Sequence, residues 1–297
     1  MPVVGYLSVG LPPPHLLAIF KQSLAEGGFL EGRDVTIETP SADGRYERLP
    51  PLAADLVRRH VAVIVAITAN PALAAKKATG TIPIVFNVAD DPVELGLVSS
   101  FAHPGGNATG VSFLFSDLVA KHLGLLRELL PRAARIGLLV NAQSANADTM
   151  SKSATAAAAS IGTEIIVLRA SDLGGIEDAF ASLAQQRADA LIVGADGYFF
   201  RRRVQLAILA ARHRLPAVFT TREYVEVGGL MSYGTSLPEA FRMTGLYTAR
   251  ILKGAKPADL PVAQSTRFDF VINIPTARAL GVEVPSTLLA RADEAIE

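Results

Sequence analysis

The amino-acid sequence predicts an α/β protein of two lobes, each built on an open parallel sheet. Three observations predict it. The chain has 297 residues, about the length at which one hydrophobic core stops growing and splits into two. Short β-branched runs alternate with segments of helical period, the pattern of βαβ units. One phrase also occurs twice. Val61–Thr68 is an apolar run that leads into a polar turn, a helix and then Ile82-Pro83-Ile84-Val85-Phe86. Ala188–Val193 leads through Asp196 into a helix and then Leu215-Pro216-Ala217-Val218-Phe219.

In order along the chain, strands are expected at Val3–Ser8, Val35–Glu38, Val61–Ile67 and Ile84–Val88. Helices are expected between them at Leu16–Ala25, Tyr46–Arg59 and Pro71–Ala78. Gly27-Gly28 and Gly32 punctuate the first return from helix to strand, where helix ends favour glycine. A second series follows at Arg135–Val140, Glu164–Leu168, Ala190–Val193, Ala217–Phe219 and Gly229–Ser232. Each of these but the last is separated from the next by a helix-like stretch, giving two sheets of about five strands. The alanines of 154–159 suit close helix–sheet packing.

Composition removes several function classes. Lys+Arg and Asp+Glu both total 28, so the basic excess that nucleic-acid binding requires is missing. The triplet Arg201-Arg202-Arg203 reads as a solvated helix start. With no cysteine, disulfides, thiolate catalysis and Cys-ligated zinc are out. The five histidines are scattered without metal-ligand spacing. No Gly-x-Gly-x-x-Gly follows the first strand and no Walker A or Gly-x-Ser-x-Gly element occurs, so an enzyme is not expected. Nor is there a run of 18 apolar residues that would span a membrane.

Gly96-Leu97-Val98 followed by Pro104-Gly105-Gly106-Asn107-Ala108-Thr109-Gly110 resembles a signature of the ABC-transporter substrate-binding proteins with the type I periplasmic-binding fold. Gly137–Asn141, Gly228–Gly234, Ile251–Gly254, Pro257–Pro261, Phe268–Asn273, Gly281, Pro285 and Ala292–Glu294 extend the similarity over nearly the whole chain. The resemblance implies two Rossmann-like lobes joined by three hinge crossings, near Thr109–Phe115, Ser232–Leu237 and Gln264–Phe270. It implies an N-terminal lobe of residues 1–112, 235–264 and 286–297, and a C-terminal lobe of 113–234 and 265–285. An amino-acid ligand, aromatic or branched, would be held in the cleft by hinge closure and passed to an ABC permease, with no cofactor and a monomeric chain. Members normally begin with a secretion leader. Here a strand begins almost at once, so a cytoplasmic protein or a mature form without its leader is expected, and the resemblance favours the periplasm or the outer face of the membrane. The alternative is a free-standing sensing domain, or less favoured a nucleotide-dependent enzyme. Sensors of this fold usually carry a helix-turn-helix before the first strand.

In parallel sheets, ligands gather beyond the carboxyl ends of strands. That places Ser8 in the site as a contacting hydroxyl, and Thr68 and Asn70 at a helix start whose N–H groups receive a carboxylate. The amides of Asn87 and Asn141 both donate and accept. Asp196 is the preferred partner of the ligand ammonium, with Asp90 of the Asp90-Asp91-Pro92 turn as a second acid. Tyr198 and Tyr224 are preferred for the ligand wall over Phe113, Phe115, Phe199 and Phe200, because their hydroxyls need partners. Thr68 and Asn70 read equally well as helix caps and Asn87 and Asn141 as turn residues, and the plain reading of Asp196 is a cap too.

Overall fold

The computed structural model describes the chain apart from Leu114 and Thr266, and apart from the side chains of Phe115, Ser116 and Asp117. Contacts divide it into two units, Met1–Leu114 with Leu237–Thr266 and Phe115–Ser236 with Arg267–Glu297, so the chain passes between them three times.

The first unit opens with β1 (Val3–Leu7), α1 (Pro14–Glu26), β2 (Thr36–Glu38), α2 (Leu49–Arg58), β3 (Val63–Ile67), α3 (Ala69–Ala78), β4 (Ile84–Val88) and β5 (Ala108–Ser112). The second holds α4 (Phe115–Leu129), β6 (Arg135–Asn141), α5 (Ala147–Ser160), β7 (Glu164–Ala170), α6 (Leu173–Gln185), β8 (Ala190–Val193), α7 (Gly197–Arg201), α8 (Arg203–Arg212), β9 (Ala217–Phe219), α9 (Arg222–Val225) and β10 (Met231–Thr235). The chain returns to the first unit for α10 (Leu237–Leu252) and β11 (Ala263–Gln264). It ends in the second with β12 (Phe268–Asn273), α11 (Ile274–Leu280), α12 (Ser286–Leu289) and β13 (Glu294–Ile296).

The first sheet has the order β11-β5-β4-β3-β1-β2, and all of its pairs are parallel. The second runs β13-β12-β10-β9-β8-β6-β7, parallel except where β10 meets β12. Adding five to every label in β2-β1-β3-β4-β5 gives β7-β6-β8-β9-β10, so the repeated phrase in the sequence is a repeated topology. In each unit the order reverses between the first strand and the third, which makes β1/β3 and β6/β8 the topological switch points. The sheets carry six and seven described strands where about five were expected. The additions β11, β12 and β13 are short or follow the crossings, so no βα period announces them.

Residues 286–297 correct the expected division. They pack in the second unit, where β13 lies parallel to β12. There Glu128 of α4 accepts Thr287 Oγ1 at 2.7 Å and Arg291 Nη1 at 2.6 Å. The expected division gave this segment to the N-terminal lobe, but strand pairing decides where a chain end docks.

The core of the first unit is the contact of α1 with α10, which lies over β3, β4 and β5. Gly245 of α10 permits it, because a Cβ there would come 2.6 Å from the Phe20 carbonyl oxygen of α1. The motif Gly105–Gly110 is structural. Asn107 Nδ2 donates to the carbonyls of Thr79 and Ile82 at 3.0 and 2.9 Å, and its Oδ1 accepts Lys76 Nζ at 3.0 Å, pinning the turn between α3 and β4. Thr109 Oγ1 donates to the Leu260 carbonyl at 2.6 Å.

In the second unit His122 joins α4 to β10. Its Nε2 lies 2.5 Å from the Tyr233 carbonyl oxygen, which only accepts, so this nitrogen carries the proton. The side chain is fully buried, and burial lowers its pKa from 6.5 to about 4, the hydrogen bond to Tyr233 opposing this in part. The folded state therefore keeps the ring neutral while the unfolded chain protonates it near 6.5. This contribution is whole above pH 6.5 and is lost as pH falls toward 4, by roughly 3 kcal/mol. Urea unfolding of the protein against His122→Phe across that window is expected to show the steeper fall in the unsubstituted chain, and parallel curves would remove His122 from the acid response.

Candidate functional site

In the first unit the switch point is flanked by Ser8, just past β1, and Thr68, just past β3. These strands are neighbours, with Leu7 opposite Ala66. Ser8 is buried, forms a parallel bridge with Ser41, and its Oγ donates to the Gly10 carbonyl at 2.8 Å. Its hydroxyl hydrogen is thus directed within its own loop, leaving a lone pair to accept.

Thr68 is the strained residue of the site. It has φ 74° and ψ 167° and makes no side-chain cap for α3. That backbone region is almost reserved for glycine, and a β-branched residue there costs about 1–3 kcal/mol. The strand–turn geometry imposes it: Thr68 N donates to the Asn87 carbonyl at 2.8 Å, continuing the β3–β4 ladder, while the next residue already begins α3. Thr68 therefore does not act as the cap. Asn70 lies half-buried in the first turn of α3.

Asn87 and Asp90 fare differently. Asn87 lies opposite Ile67 near the end of β4, is 2% exposed and donates through Nδ2 to Thr244 Oγ1 at 2.9 Å, so its side chain ties β4 to α10. Asp90 is half-buried beyond β4, and its carbonyl accepts Ser112 Oγ at 2.9 Å. Its neighbour Asp91 supplies the turn cap, accepting Val93 N at 2.7 Å.

In the second unit the switch point is built more tightly. Asn141 ends β6, is 1% exposed, and donates through Nδ2 to Asp196 Oδ1 at 2.8 Å. Its own Oδ1 accepts Gln143 N at 2.9 Å. Asp196 follows β8 and caps α7, Oδ1 also accepting the N–H groups of Tyr198 and Phe199 at 2.9 and 3.0 Å. Three donors on one oxygen fix the carboxylate, which is half-buried at the carboxyl edge of the sheet. Capping and ligand contact are therefore compatible roles for Asp196.

Aromatic rings stand beside it. Tyr224 stacks on Phe219, the last residue of β9, with centroids 4.7 Å apart and planes at 16°. Phe200 meets Tyr224 edge-on at 6.1 Å and carries the Arg203 guanidinium 5.1 Å from its centroid. The Tyr224 hydroxyl is pushed well above its usual value, first by burial and then by the Asp196 carboxylate, with Arg203 opposing and Glu223 adding. It stays protonated and keeps its donor hydrogen. Tyr198 is 7% exposed, flanked by Phe199 and covered by the Arg202 guanidinium at 5.4 Å, while Phe199 is core. Phe113 is half-buried in the first unit, and the side chain of Phe115 lies outside the described residues.

Sequence reading passed over Phe219, the ring under Tyr224, and Thr221, which is buried with an Oγ1 that has no partner among the described residues. Applied to Ala217–Phe219, the strand-end rule selects Thr220 and stops one residue short of Thr221. Chemically, the edge offers an anchored, half-buried carboxylate and the half-buried ring of Phe200, with Phe219 and Tyr224, 0% and 1% exposed, packed behind it. Among the described residues no His, Asp or Glu grouping suits a metal ion, and no helix is long and apolar enough to cross a membrane.

A family model described as ABC transporter substrate binding protein matches residues 16–296. A tyrosine-binding protein of Clostridioides difficile (strain R20291) is 27% identical over 264 residues, covering 89% of this chain and 76% of its own length. A structure of a conserved domain protein from Vibrio cholerae shares 29% identity at a TM-score of 0.90, over 99% of both chains. One from Streptococcus pneumonia, described as the ABC domain in complex with L-Trp, shares 24% identity at a TM-score of 0.89, again over 99% of both, and carries the fold alone.

Proposed function

Because the chain belongs to the ABC transporter substrate-binding protein family, whose members are binding proteins and not enzymes, we propose that it captures an aromatic amino acid for an importer. The carrying observation is the Asp196–Asn141 pair at the β6/β8 switch point with the Phe219–Tyr224 stack beside it. Asp196 receives the ammonium, a charge-assisted bond that gains strength as water leaves. Phe200, half-buried and backed by the stack, receives the ring of the ligand, whose face pairs with flat apolar surface. A relative named for binding tyrosine supports the aromatic class.

In the first unit, Ser8 and Thr68 supply hydroxyls, and the uncapped start of α3 supplies N–H groups for the carboxylate. The units close on the ligand by turning about the three crossings, and contacts made only in the closed form shift the population toward it. The closed chain is what a membrane permease would accept, with the work done outside the cytoplasm and the chain monomeric.

Thermal melting of the purified chain with L-tyrosine, L-tryptophan and L-phenylalanine is the test. Leucine, glutamate, ribose and AMP serve as comparisons. Ligand at a hundred times its Kd stabilises by about 2.7 kcal/mol. A response to the aromatic amino acids is expected, and one to ribose or AMP alone, or none, would remove the reading.

Thr68→Gly separates strain from contact. Relief of the backbone, less the extra freedom of glycine in the unfolded chain, should raise stability by about 1 kcal/mol. Loss of the hydroxyl should weaken ligand binding about fivefold. Urea midpoints and calorimetry read the two separately.

A further inference from the structure

Between 197 and 214 the sequence holds five arginines and no carboxylate, in a chain whose net charge is zero. The structure places this excess on α8 and at its two ends. α8 buries Leu206, Ala207, Leu209 and Ala210 in the second unit and turns Val204 and Ile208 outward, 48% and 59% exposed. Val204, Ile208 and Arg212 recur every four residues and share one stripe. Arg201 is exposed just before the helix, and Arg212 and Arg214 are exposed at its end. Arg201, Arg212 and Arg214 enter no ion pair among the described residues.

We propose that this face of α8 rests on the anionic phospholipid headgroups of a membrane surface. Guanidinium forks match phosphodiester oxygens, and their stems lie along apolar surface while the charge stays at headgroup level. Two aliphatic side chains between such cations suit a shallow interfacial contact. A protein partner would be expected to find an aromatic or deeply seated anchor, and this stripe has only Val204 and Ile208. A second copy would oppose like charges, because the face presents cations alone. The contact would hold the second unit, with its ligand edge, at the membrane where an importer works.

Co-sedimentation with phosphatidylcholine vesicles containing about one third phosphatidylglycerol tests it, against pure phosphatidylcholine. The chain is expected to sediment with the anionic vesicles at about 50 mM salt and to be released at about 500 mM. Arg201→Glu with Arg212→Glu should lower the bound fraction at least ~10-fold, and Val204→Ser with Ile208→Ser should lower it too. None of these four residues belongs to the proposed ligand site, so melting temperature and amino-acid response should be kept. No sedimentation of the unsubstituted chain, or equal sedimentation of the charge-reversed variant, would overturn the proposal. So would self-association abolished by Val204→Asp, which would assign the face to a second copy.

Discussion

Asp196→Asn is expected to cost about 100-fold or more in affinity for the aromatic amino acid while moving the melting temperature little. The substitution keeps an oxygen for the N–H groups of Tyr198 and Phe199 and for Asn141 Nδ2. Asparagine is as good a cap as aspartate. What it removes is the charge opposite the ammonium, and truncating one partner of a desolvated charged pair costs about 2–5 kcal/mol. Asp196→Ala would lose the cap as well, about 1 kcal/mol of stability, so comparing the two variants divides anchoring from recognition. Calorimetry decides it. Affinity unchanged in Asp196→Asn would mean that the carboxylate serves α7 alone.

Gly110→Ala should be among the most damaging single methyls, at about 3 kcal/mol or more. Gly110 pairs with Phe86 in the middle of the β4–β5 ladder. A Cβ there would sit 2.0 Å from the Phe86 carbonyl oxygen and 2.6 Å from its nitrogen, both backbone atoms of a buried strand. No rotamer relieves that, so one strand must leave the ladder. Gly124→Ala is the matched comparison. Gly124 is exposed in α4 with nothing within 4 Å of its Cβ position, and alanine there should stabilise by about 1 kcal/mol. Opposite shifts of the urea midpoint are expected, and a neutral Gly110→Ala would show that β4 and β5 can separate at little cost.

Much of this was legible in the chain. β4, β8 and β9 begin and end as expected, because strands buried on both faces read as near-continuous apolar runs, and in β4 the amide of Asn87 is the one polar interruption. Ser8, Thr68, Asn141 and Asp196 could be singled out for the same reason: each is the first polar residue past such a run. Asn87 could not be separated from them by that rule. It too is an amide near a strand end, and the rule does not see Thr244, which is 157 residues away and meets it through α10. Nor did local pattern show that residues 286–297 pair with β12, since three residues of a terminal strand carry no period.

Residue chemistry and spacing alone determined that this protein is a duplicated, parallel α/β chain with polar groups at its strand ends, without cysteine chemistry or a nucleotide loop. Those properties are local, set by which side chains leave water and by what residue types are present. The tertiary structure alone decided that Asn141 and Asp196 hold one another, that Tyr224 lies on Phe219, that Thr68 is strained, and that Asn107 is a brace. These depend on strand order, which brings β6 beside β8 across 48 intervening residues of chain, between Asn141 and Ala190, and no local period carries that information.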